Sequence, residues 1–248
     1  MLIVLLLLWQ LASRWTGPQW VPPPLLVASR FWRALASGDL WFHGRYTLAS
    51  AVLGFLIGGL PGMALPFLLR RLPAVQAVLE PYLVAGYGAP KVALTPLFVI
   101  WFGIGLASKV ALVAAVVFFM VLFLTAAGLR ATDQKLIATA RVYGADERLI
   151  AREIVWPAAV PYIFTSFRVA APYAIGTAVV GELISSNRGL GYGIQAAATD
   201  FDPAGIFVGV VALAMLVIAL NAVFSWGEQR LLAWKPTTGA ADATHSAL

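Results

Sequence analysis

The chain has 248 residues, of which 61% are hydrophobic and 11% are charged, whereas a soluble globular domain has roughly 45–50% apolar and about 25% charged residues. This composition predicts an integral membrane protein. Because the sequence has no cysteine and only two histidines, it excludes disulfides, thiol nucleophiles and Cys-ligated or His-cluster metal sites. The net charge of +6 comes from Lys and Arg residues between apolar runs, where they act as topology signals. We therefore expect no nucleic-acid binding.

The N-terminal stretch opens with an apolar run over residues 1–13, which is too short for a full span. The run lacks the positively charged start of a secretory signal peptide. We expect it to be the outer part of a first transmembrane helix, on a chain whose native start lies further upstream. Prolines between residues 18 and 24 then stop the helix, and the tryptophans that follow suit a membrane interface. Residues 1–43 are thus predicted to be a first transmembrane helix and an external loop.

Five further apolar runs cover the rest of the chain. They are Tyr46–Leu69, Tyr82–Gly105, Lys109–Leu129, Pro161–Ser185 and Gly205–Trp226. Only helices or closed barrels satisfy the backbone polar groups in lipid, and these runs lack the alternation of barrel strands. The predicted fold class is therefore all-α, a polytopic transmembrane helical bundle of about six spans. Residues 44–230 form its core, and residues 231–248 are predicted to be a cytoplasmic tail.

Basic residues are unevenly distributed between the two faces of this predicted bundle. Nine lie in the segments around residues 70–71, 130–152 and 230–235, which are separated by two spans each, and six lie in the opposite loops. By the positive-inside rule, the face that carries nine basic residues is predicted to be cytoplasmic, and both termini lie on that side.

The long polar segment over residues 130–160 is predicted to form two short amphipathic helices. Asp133 suits the N-cap of the first helix, which Gly144 ends. Asp146 and Glu147 start the second helix, which stops at Pro157. Since an apolar face on a loop in water needs a cover, we expect either lipid headgroups or a protein partner to bind there.

This segment carries a resemblance to a known family. Its pattern of ATA at residues 138–140, GA at 144–145 and IVWP at 154–157 resembles the EAA loop of the membrane subunits of binding-protein-dependent ABC importers. The flanking stretches PLFVIWFGIG and GELISSNRGLGYGI are similar to the sulfonate, taurine and nitrate permease branch. Ala138 replaces the Glu of the motif and Trp156 replaces its Leu.

The resemblance implies a type I ABC importer permease-like subunit that is not itself an enzyme. Such a subunit works as a homodimer in the bacterial inner (plasma) membrane, with a cytoplasmic ABC ATPase subunit and a periplasmic or lipid-anchored substrate-binding protein. The loop would insert into a groove of the ATPase. ATP and Mg²⁺ would bind that partner, and this chain, which lacks the G-x-x-x-x-G-K-[ST] phosphate loop, would hold no cofactor. The implied coupling residues are Ala138, Ala140, Gly144, Ala145, Leu149, Ile150, Ile154 and Pro157.

Three residues are candidates for the translocation path of a small solute such as an alkanesulfonate, taurine or nitrate. Lys91 and Tyr87 lie in a proline-rich run where a cation would favour an anion, although Lys91 could equally extend to the interface or pair with a carboxylate. Glu182 lies near the outer end of the fifth span, where it would line a gate or meet the binding protein. Arg168 in the same span is expected to be an interfacial anchor. The GLGYG stretch after Glu182 suggests docking or gating, and a plain turn explains it equally well.

Two other classes of function compete with this interpretation. A secondary transporter working without an ATPase would need internal repeats and intramembrane carboxylates, and only Glu182 is a candidate. A membrane-embedded enzyme would need a catalytic constellation in the spans, which the sequence does not contain.

Overall fold

The computed structural model describes residues 2–231, in which the backbone consists of helices and the turns that join them, without a β-strand. The first six helices are α1 (Leu2–Thr16), α2 (Pro24–Ala36), α3 (Asp39–Arg70), α4 (Pro73–Gly88), α5 (Thr95–Phe102) and α6 (Leu106–Arg130). The remaining five are α7 (Gln134–Val142), α8 (Glu147–Ile150), α9 (Trp156–Ile184), α10 (Leu190–Thr199) and α11 (Pro203–Leu231). The prediction of an all-α fold is confirmed. Apart from Leu231, the predicted tail lies outside the described residues.

Four helical segments among the described residues are long and apolar enough to cross a membrane: α3, α6, the segment from Glu147 to Ile184, and α11. A fifth span results if α4 and the segment Lys91–Phe102, which bend by 82° relative to each other, are taken as one broken span. The N-terminal run of the predicted six forms α1, a shorter apolar helix.

The core of the bundle lies where α3, α6 and α9 pack together around a cluster of buried Val, Ala and Ile side chains. Three glycines one turn apart, Gly54, Gly58 and Gly62, bring α3 against the backbone of α6. A Cβ at Gly58 would lie 2.2 Å from the carbonyl oxygen of Ala114, and one at Gly62 would lie 2.6 Å from that of Phe118. This stripe of small residues lets the two helix backbones approach each other closely.

The broken span has an identifiable cause in its prolines. α4 ends at Gly88, a 3₁₀ turn covers Lys91–Leu94, and α5 begins at Thr95. Pro90 directly precedes the turn, and Pro96 occupies the first turn of α5, where its missing N–H group is not needed. Pro81 lies inside α4.

The prediction that the second short helix stops at Pro157 is wrong. α8 continues through a π-helical turn at Ala151–Val155 into α9, so one helical segment of 38 residues runs from 147 to 184. A proline ring clashes with the carbonyl group four residues earlier, which here belongs to Glu153. The wider π turn includes this position and accommodates the ring without ending the helix.

The bundle has two distinct ends. One end carries α7 and α8, which with the turn between them form a projection over residues 133–150 that we call the hairpin; α3 and α6 also end here. The other end, which we call the opposite end, holds the start of α3, α10 and the α10–α11 turn. It also contains α2, a helix that the sequence analysis did not predict. Arg30 of α2 donates to Asp202 at 2.6 and 2.7 Å and fixes α2 beside α11.

Candidate functional site

The hairpin is built from local capping interactions that the sequence predicted. The Asp133 carboxylate accepts a hydrogen bond from the backbone N–H of Lys135 at 2.8 Å and begins α7. The Asp146 carboxylate accepts from the N–H of Leu149 at 2.8 Å and begins α8. Between them Gly144 adopts a φ of +81°, a conformation that favours glycine. The predicted start of each helix and the break at Gly144 are confirmed.

Five of the eight predicted coupling residues attach the hairpin to the bundle. Ile150 is buried together with Ile137 and Val155 in a second apolar cluster under the hairpin. Ala140, Ala145 and Ile154 pack against this cluster, and Pro157 lies in the first turn of α9. These side chains therefore hold the hairpin at a fixed angle to the bundle.

The other predicted coupling residues face outward, together with two that the sequence analysis missed. Ala138, Gly144 and Leu149 are exposed. The side chains of Val142 and Tyr143, directly before the turn, are 85% and 87% exposed. The sequence signal for these two residues was their position: Val142 and Tyr143 are apolar and directly precede Gly144, which ends α7. Val142, Tyr143 and Leu149 form the exposed apolar tip of the hairpin.

Across the turn, the two hairpin helices are joined by an ion pair. Arg141 of α7 donates to Oε1 of Glu147 in α8 at 2.6 Å from Nη2 and 3.0 Å from Nε. An exposed pair of this kind contributes little to stability by itself. Its geometry, with both donors on one oxygen, adds to the capping that fixes the tip.

Lys91 lies in the 3₁₀ turn at the bend of the broken span. Its ammonium group donates to the carbonyl oxygens of Tyr87 at 2.7 Å and Ala89 at 3.3 Å. It also lies 4.7 Å from the ring centroid of Phe119 and 5.6 Å from that of Tyr87. The side chain is half-buried. The structure therefore brings Lys91 and Tyr87 together and leaves the Lys91 ammonium group partly accessible at an irregular stretch of backbone.

Glu182 is fully buried near the end of α9. Its Oε2 accepts hydrogen bonds from the Thr47 hydroxyl and from the backbone N–H of Gly191, both at 2.9 Å. Thr47 in turn accepts from the N–H of Leu190 at 2.9 Å. In the single chain, Glu182 therefore joins α3, α9 and α10 from inside the bundle, and we call this set the Glu182 network.

Lys109, the first residue of a predicted apolar run, belongs to the same region. Its side chain is 1% exposed in the first turn of α6. Its ammonium group donates to the carbonyl oxygen of Ser185, and it interacts electrostatically with Glu182. A lysine at the end of an apolar run gives no sign in sequence of whether it points inward.

The GLGYG stretch forms a turn and the start of α10, packed directly on Glu182. A Cβ at Gly189 would lie 2.2 Å from Cδ of Glu182, and one at Gly191 would lie 2.9 Å from its Cβ. The N–H of Gly189 also donates to Nδ1 of His43 at 3.0 Å. Glycine is thus required here by close approach, and the roles in docking or gating stay predictions.

Arg168 lies near the middle of α9 with an exposed side chain. It is twelve residues past Trp156, which at 1.5 Å per residue corresponds to about 18 Å along the helix. Its expected role as an interfacial anchor stays a prediction.

Comparison with known proteins agrees with this architecture. Residues 50–232 match the family model described as binding-protein-dependent transport system inner membrane component. The chain belongs to this family. The chain is 36% identical over 236 residues to the riboflavin transport system permease protein of Chloroflexus aurantiacus, a match that covers 94% of this chain and 88% of that one. It is 30% identical to the taurine transport system permease protein of Escherichia coli, over 94% of this chain and 86% of the relative.

Solved structures show the same fold at low sequence identity. A chain of an amino acid ABC transporter superposes with a TM-score of 0.64 at 18% identity, covering 81% of this chain and 98% of that chain. A chain of an inward-facing methionine ABC transporter gives 0.59 at 20% identity, covering 82% and 95%. The fold is that of a type I ABC importer permease.

Family membership decides several of the predictions. The chain is a multi-pass inner membrane permease subunit of a binding-protein-dependent importer, and ATP hydrolysis in such systems belongs to a separate protein. The alternatives of a self-sufficient secondary transporter and a membrane-embedded enzyme are therefore wrong. The family implies ATPase and substrate-binding partners for this subunit.

Proposed function

We propose that two copies of this chain form the translocation path of an ATP-driven importer for a small solute delivered by a binding protein. The solute is an alkanesulfonate, taurine, nitrate or a similar compound. The hairpin of each copy inserts into a groove of an ATPase subunit and transmits its movement to the path. ATP and Mg²⁺ bind the ATPase.

The exposed apolar tip of the hairpin carries this proposal. Val142, Tyr143 and Leu149 project from the membrane bundle on a turn that two N-caps, an ion pair and a buried cluster hold in place. Such a rigid apolar projection is costly to leave in water and is typical of an anchor that fills a partner's groove. Since one chain supplies one hairpin, a homodimer fits an importer driven by two ATPase subunits.

The arrangement of charge supports an orientation with the hairpin in the cytoplasm. Seven of the nine basic residues that the sequence analysis assigned to the cytoplasmic face lie in residues 70–152 around the hairpin end, as the positive-inside rule requires. Both termini then lie in the cytoplasm. The opposite end, with α2 and α10, faces the periplasmic or lipid-anchored binding protein.

Lys91 and Tyr87 support an anionic solute. A cation held at the bend of a broken span, at a distance from the hairpin, lowers the electrostatic barrier for an anion that passes it. The aromatic rings of Tyr87 and Phe119 beside it also suit a planar heterocycle. Relatives named as riboflavin and formylaminopyrimidine permeases, at 36% and 32% identity, favour such a compound as a second candidate.

Uptake into proteoliposomes tests the path and the solute class together. The importer is reconstituted with its own ATPase and binding protein and assayed with labelled taurine, ethanesulfonate, nitrate, riboflavin and formylaminopyrimidine. For an anionic solute, Lys91→Met should lower ATP-dependent uptake about tenfold, and Lys91→Arg should retain most of it, because only the first change removes the charge.

The heterocycle alternative gives a different pattern. Uptake of riboflavin or formylaminopyrimidine alone, with little effect of Lys91→Met, would favour the second candidate over the first. Equal uptake by wild type and Lys91→Met of a sulfonate or nitrate would remove Lys91 from the path.

A further inference from the structure

A basic groove lies at the base of the hairpin, between its two helices and the end of α3. The groove has a volume of about 760 Å³, within the range of ligand-binding clefts. Four of the side chains that line it are arginines: Arg70 and Arg71 from the end of α3, Arg141 from α7 and Arg148 from α8. The one acidic side chain in its lining is Glu147.

The groove keeps a strong positive charge after its internal pairing is counted. Glu147 is engaged by Arg141 at 2.6 Å, which leaves the charges of Arg70, Arg71 and Arg148. Guanidinium groups bind phosphate oxygens through two parallel hydrogen bonds. The chemistry of the groove therefore fits a phosphate or phosphodiester group.

The position of the groove relative to the membrane indicates the source of that group. One helical turn before Arg70, Phe67 packs against Trp156 with a centroid distance of 5.4 Å. Trp156 is half exposed, and a tryptophan with one side exposed to solvent is typical of the headgroup level of a bilayer. The arginines at the end of α3 thus lie at the depth where lipid phosphates lie.

Exposed apolar side chains flank the arginine pair of the groove at the end of α3 and just before α4. Leu68 and Leu72, on either side of the arginine pair in sequence, have side chains 55% and 45% exposed. A ligand that fits both parts has an anionic head and an apolar tail. A free anion in water would need only the basic groove and not the apolar side chains.

We propose that the basic groove binds the phosphodiester headgroup of an anionic phospholipid of the leaflet on the hairpin side, with its acyl chains along Leu68 and Leu72. Two or three arginine contacts to one headgroup distinguish this lipid from the zwitterionic lipids around it. The inference extends beyond the proposed function and does not depend on ATPase docking.

Native mass spectrometry of the purified permease alone tests the groove. The protein in detergent is titrated with phosphatidylglycerol or with phosphatidylcholine of the same acyl chains, and bound lipid is counted. The double variant Arg71→Gln/Arg148→Gln should lose phosphatidylglycerol affinity about tenfold without a change for phosphatidylcholine. The matched control Lys135→Gln/Arg152→Gln removes the same charge from exposed positions outside the groove, and it should bind phosphatidylglycerol like the wild type.

Three results would overturn the proposal. If the control loses affinity as much as the groove variant, binding reflects general surface charge. If inorganic phosphate at constant ionic strength displaces the lipid, the groove is a free-anion site. If the groove variant binds both lipids like the wild type but no longer retains the ATPase in neutral lipid, the arginines belong to the protein interface.

Discussion

Glu182 is the residue on which the packing of the opposite end depends. A carboxylate buried in a bundle is costly unless donors or an opposite charge compensate it. Here Thr47 and Gly191 donate to Oε2, the ammonium group of Lys109 supplies a nearby positive charge, and Oε1 has no hydrogen-bond partner among the described residues. The groups come from α3, α10 and α6, while Glu182 belongs to α9. The network therefore ties together four elements, of which only α9 and α10 are consecutive in sequence.

Thr47→Val tests this network at the level of one hydroxyl group. The change keeps the volume but removes the donor to Glu182 and the acceptor for the N–H of Leu190, so two buried groups lose a partner. We expect the free energy of unfolding to fall by about 1–3 kcal/mol, measured as a lower melting temperature in detergent.

Thr125→Val is the matched control for this substitution. Thr125 is equally buried, but its hydroxyl finds no hydrogen-bond partner among the described residues. Valine there should leave stability unchanged or raise it. Equal effects of the two substitutions would show that the hydrogen bonds of Thr47 contribute nothing specific.

At the scale of elements, the glycine stripe of α3 fixes its distance from α6. Gly58→Ala should destabilise the protein by about 1–3 kcal/mol, because the added Cβ would meet the backbone of α6 at 2.2 Å and backbone cannot move aside like a side-chain tip. Gly44→Ala is the control in the same helix, since its Cβ would meet nothing within 4 Å. Thermal unfolding of both variants measures the difference, and a loss as large at Gly44 as at Gly58 would contradict close packing as the cause.

The elements were predictable from sequence where local chemistry decides them. Asp133, Gly144 and Asp146 carry their capping and turn geometry in their own side chains and backbone preferences, so the hairpin helices start and turn where expected. Apolar runs likewise identified the long spans. The prediction that the second hairpin helix stops at Pro157 failed because a π turn accommodates the proline ring. This turn depends on the packing of the long helix.

Other parts of the site depend on contacts between distant residues and were not predictable. The burial of Lys109 depends on the carbonyl group of Ser185, 76 residues later. The division of the coupling residues into buried Ile150 and half-exposed Leu149 depends on which side of α8 meets the bundle. The role of α2 follows from its ion pair with Asp202, 172 residues away.

The two ends of the bundle carry different features. The hairpin end presents a rigid apolar tip beside a basic groove, and the opposite end presents α2, α10 and the Glu182 network. The broken span with Lys91 lies between the two ends. In the proposed importer, movement of the ATPase acts at the first end and access to the path changes along the bundle, as in rigid-body switching between two states.

The most direct test of this account is retention of the partner ATPase by the purified permease. Tyr143→Asp places a charge on the exposed tip and leaves the buried cluster under the hairpin intact. Loss of an aromatic anchor at an interface typically costs about 2 kcal/mol or more, so the variant should bind the ATPase at least about thirtyfold more weakly. Phe201→Asp is the matched control, because Phe201 is 93% exposed at the opposite end and has a φ of +52°, which aspartate tolerates.

The ATPase dissociation constant is measured for the three proteins in nanodiscs, after thermal unfolding has shown that each is folded. The account predicts tight binding by wild type and Phe201→Asp and weak binding by Tyr143→Asp. Equal binding by all three would contradict the assignment of the hairpin as the ATPase docking element.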